Sequence, residues 1–172
     1  MENLTVTQYD KGVAKCPFNP RANITSLMTE NGQMFVGSPT DFSGSDPAIL
    51  RADVSQGMSE ARMLRTNQYN SKWLNDPQFV GSFESGEFVY FIFRESAVEY
   101  INCGKVVYSR IARVCKSDSG GVHILKDNWT SFLKARLNCS LPGEYPFYFD
   151  EVQGVSYSHE EATLYATFTT PE

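Results

Sequence analysis

Apolar positions in this chain alternate or come in short bursts, and few of them recur at helical spacing. Thr25–Thr29 and Gln33–Gly37 flank an Asn31-Gly32 pair. That dipeptide accepts positive φ at both centres, so it predicts a β-hairpin. The run Phe88–Phe93 (FVYFIF) is apolar throughout and predicts a strand buried on both faces. Val106–Val114 alternates instead, setting Val106, Tyr108, Arg110, Ala112 and Val114 on one face. Val98–Ile101 is read as part of the strand after FVYFIF, and Phe132–Leu137, Tyr148–Tyr157 and Leu164–Thr169 predict three more. Helical turns are expected only over Glu60–Arg65 and Leu125–Trp129. Pro and Gly punctuate the chain densely, as at Asn19-Pro20, Asp46-Pro47, Asp76-Pro77 and Pro142-Gly143. Short strands between such turns predict an all-β sandwich, barrel or propeller, and periodicity leaves that choice open. No exact internal repeat is visible.

Composition narrows the picture. The 172 residues fit one domain, and 41% hydrophobic with 20% charged is ordinary for a globular chain. Twelve Phe, nine Tyr and two Trp agree with β-structure. A net charge of −5 argues against nucleic acid as the main partner, since phosphate binding needs a basic surface. No run is long and apolar enough for a membrane helix, and the opening ENLTVTQYD lacks a secretory h-region. The four cysteines, Cys16, Cys103, Cys115 and Cys139, include no C-x-x-C pair, and the histidines are His123 and His159 alone. A zinc site is not expected from that set. Four N-x-S/T sequons, at Asn3, Asn23, Asn128 and Asn138, together with scattered cysteines point to an oxidising, extracellular setting. The missing leader then suggests an internal fragment or an incomplete gene model.

The motifs that invite a catalytic reading do not sustain one. Asp118-Ser119-Gly120-Gly121 resembles a serine-protease nucleophile loop, but there the histidine and aspartate precede the serine. Here both histidines follow Ser119, so a polar β-turn with Gly120 and Gly121 at positive φ is expected. Phe42–Pro47 (FSGSDP) precedes no helix and does not fit a phosphate loop. The pairs Asp150-Glu151 and Glu160-Glu161 are sequence neighbours, which on a strand point to opposite faces. Lys105, Arg110, Arg113 and Lys116 split between two strand faces, so ion pairing is expected rather than an anion site. Trp73 and Trp129 are core or interface anchors.

Several longer stretches carry a family resemblance. They are Lys15–Pro20 (KCPFNP), Asp41–Pro47 (DFSGSDP), Ser71–Val80 (SKWLNDPQFV) and Val89–Glu95 (VYFIFRE). Ser109–Lys116 (SRIARVCK), Trp129–Ser140 (WTSFLKARLNCS) and Phe147–Glu151 (FYFDE) follow in order. With these motifs the chain resembles the sema domain of semaphorins, especially invertebrate classes 1 and 2, from about Gly12 onward.

The resemblance implies a seven-bladed β-propeller, of which residues 1–172 would supply two to three blades from the N-terminal half, incomplete at both ends. An open arc of blades leaves unpaired edges, so these residues alone are expected to fold poorly. It implies an extracellular, non-catalytic guidance ligand, secreted or on a cell surface, whose partner is a plexin receptor. No cofactor, metal, nucleic acid or small-molecule substrate is implied. Other readings are an adhesion or decoy propeller and, further off, a propeller hydrolase. The family's plexin-contacting region corresponds to Trp73, Asn75, Asp76, Gln78, Gly81, Phe83 and Glu84. Some relatives carry a longer or basic insertion where this chain has Gly81–Gly86 (GSFESG). Cys16, Cys115 and Cys139 match half-cystines whose partners lie outside this chain, while Cys103 lacks a family partner and is a candidate intermolecular link in a homodimer. Asn23, Asn128 and Asn138 are candidate glycosylation sites.

Overall fold

A computed structural model describes Val6, Tyr9 and residues 12–53 and 63–170. Asn3 and residues 60–62 of the expected Glu60–Arg65 helix lie outside the described residues.

The first sheet is a four-stranded antiparallel meander of β1 (Thr25–Met28), β2 (Gln33–Pro39), β3 (Pro47–Asp53) and β4 (Leu64–Arg65). Its first hairpin pairs Met28 with Met34 around Asn31-Gly32; Gly32 sits at φ +81°, while Asn31 does not take the positive φ of a two-residue turn, because the turn runs from Thr29, whose carbonyl accepts the Gly32 amide at 3.0 Å. The second meander comprises β5 (Gln78–Ser85), β6 (Phe88–Ser96), β7 (Val107–Cys115) and β8 (Leu133–Arg136). Two shorter pairs follow: β9 (Ser140–Leu141) with β10 (Phe147–Tyr148), and β11 (Glu151–Ser158) with β12 (Thr163–Thr169). The first strands of the three larger sheets lie side by side, β1 against β5 and β5 against β11. Sheets that converge on their first strands are the blades of a β-propeller.

Three element expectations are corrected. Tyr148–Tyr157, expected as one strand, is broken at Phe149–Asp150 into β10 and β11. Val98–Tyr100 forms a single 3-10 turn, because Ala97 ends the β6–β7 ladder and the next residues turn back to Val107. Leu64–Arg65, expected as helix, is the outer strand of the first sheet, where Arg51 pairs with Leu64.

The core lies between sheets, because an apolar sheet face has nothing else to cover it. Trp129, on the β7–β8 connection, stacks on Phe35 of the first sheet with centroids 6.1 Å apart, and its indole N–H donates to the Ile49 carbonyl at 2.8 Å. Phe79 of β5 lies so close to Gly37 that a Cβ there would come within 2.7 Å of the ring. On the other side of the second sheet, Phe83 is stacked between Tyr90 and Tyr157, with centroids at 5.0 and 4.2 Å.

The loop after β7 carries its own anchor. The buried Asp118 carboxylate accepts hydrogen bonds from the Gly120, Thr130 and Ser131 amides and from both hydroxyls of Thr130 and Ser131, at 2.6–2.9 Å. Gly120 sits at φ +83°, and a Cβ there would meet the Lys126 carbonyl at 2.1 Å. Gly121 does not take the positive φ expected of it.

Burial pushes the Asp118 carboxyl up, but the donations from Ser131, Gly120 and Thr130 outweigh it and hold its pKa at about 2. A depressed folded pKa stabilises above the unfolded value of ~3.9 and is lost as pH falls through that value toward the folded one. Asp118→Asn is therefore expected to cost about 1–3 kcal/mol near neutral pH in urea denaturation of the full-length protein. The gap between wild type and variant should shrink as the pH drops below ~4. A gap that stays constant across that range would contradict this role for Asp118.

Candidate functional site

Alternating strand direction sends the β2–β3, β4–β5 and β6–β7 connections out of the same end of the sheets. The candidate residues begin on the second of these connections. Asn75 is fixed there by three bonds to the end of β6. Its amide donates to Glu95 Oε2 at 3.1 Å, its Nδ2 to the Ser96 carbonyl at 2.9 Å, and its carbonyl accepts the Ser96 amide at 3.0 Å.

Glu95 is itself wholly buried and held by charge. Its Oε1 accepts from Arg110 Nε at 2.9 Å and from Lys134 Nζ at 2.5 Å. Arg110 reaches on to both carboxylate oxygens of Glu99, on the 3-10 turn that opens the β6–β7 connection. Burial pushes the Lys134 ammonium pKa down against the opposing pull of Glu95. The expected ion pairing of Arg110 is therefore present, and it ties two neighbouring loops to one buried carboxylate. At the surface the same two loops are bridged by Asp76 and Lys105, 3.7 Å apart. Asp76 is exposed and holds a positive φ of 52°.

The other candidate residues diverge from Asp76. Trp73 is half-buried, stacked on Phe132 at 4.7 Å. Gln78 starts β5, and its Oε1 accepts from Asn23 Nδ2 at 2.9 Å. Gly81 follows the β-bulge between Phe79 and Gly81, and a Cβ there would meet Val155 at 2.5 Å. Phe83 fills the space toward the third sheet, and Glu84 pairs with Lys116 at 3.5 Å. The structure thus gathers Asn75, Asp76 and Gln78 at one end of the second sheet, while Gly81, Phe83 and Glu84 run up β5 away from it.

Residues outside the sequence-based set complete this face. An open groove of about 300 Å³ is lined by Asp76, Gln78, Arg94, Lys105 and Glu151. A second cleft of about 240 Å³ brings Phe18 and Phe42 beside Asn23, Pro77 and Gln78. Phe42 is 86% exposed, and Tyr69 on the β4–β5 connection is 77% exposed. Cys103 is exposed on the β6–β7 connection with Ile101. Cys16 is also exposed, Cys115 and Cys139 are half-buried, and all four are free thiols. Among the sequons, Asn23 and Asn138 are exposed and Asn128 is half-buried beside the buried Trp129. Among the described residues, no three His, Cys, Asp or Glu side chains gather as a metal site.

No family model matches the sequence. Semaphorin 5c of Drosophila melanogaster is 67% identical over 171 residues, which covers 99% of this chain and 15% of that protein. Semaphorin-2A of Schistocerca gregaria is 51% identical over 92% of this chain and 24% of its own length. The chain thus spans under a quarter of these relatives. Among solved structures, Drosophila Semaphorin 2a superposes with a TM-score of 0.86 at 50% identity, over 94% of this chain and 28% of that one. A chain in the structure of Drosophila Plexin A in complex with Semaphorin 1b gives 0.84 at 45% identity, over 97% and 31%. Identity of 67% over 99% of this chain, with TM-scores of 0.84–0.86 on semaphorin structures, means that this chain belongs to the semaphorin family.

Proposed function

We propose that this chain is part of the sema domain of an extracellular guidance ligand, and that its face at Asn75, Asp76 and Gln78 docks on a plexin ectodomain. The observation that carries the reading is the match to a structure of Drosophila Plexin A in complex with Semaphorin 1b, over 97% of this chain at 45% identity. An extracellular setting agrees with the relative described as Semaphorin 1b, extracellular domains 1-2. The local chemistry suits a protein partner. Asp76 and Lys105 offer opposite charges on two loops held by the Glu95–Arg110 network, and the exposed Tyr69 lines a cleft with Asp76.

Binding of the full-length ectodomain to an immobilised plexin ectodomain tests the reading. Wild type is expected to bind, and Asp76→Arg, which sets two cations side by side, should weaken binding about tenfold, or ~1.4 kcal/mol. Failure of wild type to bind any plexin ectodomain would remove the proposed function. Unchanged affinity in the variant would move the contact away from Asp76.

The homodimer belongs to the same proposal. Cys103 projects from the β6–β7 connection near Ile101, which is 70% exposed, so a second copy meeting Ile101 and Cys103 brings two thiols together. Non-reducing electrophoresis of the secreted ectodomain should show a dimer band that Cys103→Ser abolishes. A dimer band unchanged by the substitution would exclude the crosslink.

A further inference from the structure

The cleft beside Gln78 has an uncommon combination of walls. One side is protein backbone and polar side chains: Asn19, Arg21, Asp41 and Ser43. The other presents two aromatic rings, Phe18 and Phe42, packed edge to face at 5.9 Å, with Phe42 86% exposed. Phe42 is left largely uncovered and Phe18 about half covered. At the rim of the cleft stands Asn23, the first residue of an Asn-Ile-Thr sequon. It is exposed, and its Nδ2 atom is turned toward Gln78, which lines the same cleft.

We infer that Asn23 carries an N-linked glycan whose first sugars lie in this cleft against Phe18 and Phe42. In the modification, Nδ2 bonds to the anomeric carbon of a lipid-pyrophosphate-linked oligosaccharide. The bond from that carbon to the pyrophosphate oxygen breaks, the lipid pyrophosphate leaves, and the amide gives up one proton to a base. The donor is the co-reactant of the secretory pathway, so the step belongs to a chain entering an oxidising compartment. The modification precedes folding, because the sequon hydroxyl of Thr25 is bonded to Ser82 Oγ at 2.8 Å in the folded protein.

Asn23 itself lines the cleft, so the first sugar takes the place of one Nδ2 hydrogen at the cleft wall. A volume of about 240 Å³ suits one or two pyranose rings rather than a long peptide. The apolar face of a pyranose covers an aromatic ring, while its hydroxyls meet Arg21, Asp41 and Asn19. Neither of the other described sequons lines this cleft. Asn128 lies half-buried at the bridge with Arg65, and Asn138 is not part of this cleft. Gln78 lines both this cleft and the Asp76–Lys105 groove, so, resting on the proposed function, the glycan borders the docking face from the Asn23 side and leaves the Asp76–Lys105 groove open to a receptor.

The test uses the full-length protein secreted from animal cells. Peptide mapping by mass spectrometry after enzymatic deglycosylation in oxygen-18 water, which leaves a labelled Asp where a glycan was, reads occupancy at Asn23. Release of the glycan by an amidase from the native, folded protein reads its seating. Asn23 is expected to be occupied, and its glycan should be released at least tenfold faster from Phe42→Ala than from wild type. Phe42 is exposed in a loop, so the variant folds, and the rate from denatured protein should be equal for both. An unoccupied Asn23, or equal native release rates, would overturn the inference. Both readouts are independent of any receptor, so loss of plexin binding would overturn the proposed function and leave them intact.

Discussion

Everything in this structure depends on one constraint: no sheet covers its own apolar face. The first and second sheets meet through Trp129, whose ring lies on Phe35 and whose indole N–H caps the Ile49 carbonyl. That one residue supplies both the apolar area and the polar partner that a buried Trp needs. Gly37 and Gly81 do the complementary job. Each removes a Cβ where a neighbouring sheet presses in, Phe79 against one and Val155 against the other. Close approach between sheets is therefore written as small residues on one side and rings or branched side chains on the other.

The proposed docking face is built on that scaffold by charge rather than by apolar packing. A wholly buried Glu95 would be costly without compensation, and two cations and a backbone amide provide it. The same bonds fix Asn75 on one loop and Glu99 on the next. Rigidity of the face is therefore a property of the sheet beneath it, and the exposed Asp76–Lys105 pair is positioned by groups that never reach solvent.

Much of this was legible in the sequence, for physical reasons that can be named. FVYFIF became β6, buried on both faces along its centre, because it packs between the first sheet and β11. Val106–Val114 alternated because β7 sets its Tyr108, Arg110, Ala112 and Val114 face inward. The family motifs pointed to blades that the strand order then displayed. What escaped was obscured by irregularity. β3 opens on Pro47 and carries Arg51, and β5 is broken by a bulge before Gly81, so neither shows clean alternation. β11 has the same bulge before Gly154, a blade-to-blade correspondence hidden by different side chains. At the site, the Asn75-Asp76-Pro77 turn could be read directly. Its partners Lys105 and Glu95 could not, because only the β5–β6–β7 register brings them to it.

The central claim is that the loop ends of the second sheet, centred on Asp76, form the receptor-facing surface. Hydrogen–deuterium exchange on the full-length ectodomain, alone and with saturating plexin ectodomain, addresses it most directly. The account predicts new protection over the β4–β5 connection around residues 71–78 and over the β6–β7 connection around 97–106, with the β5–β6 turn at Gly86 unchanged. Protection confined to the opposite end of the sheets, with both connections exchanging as in the free protein, would contradict it.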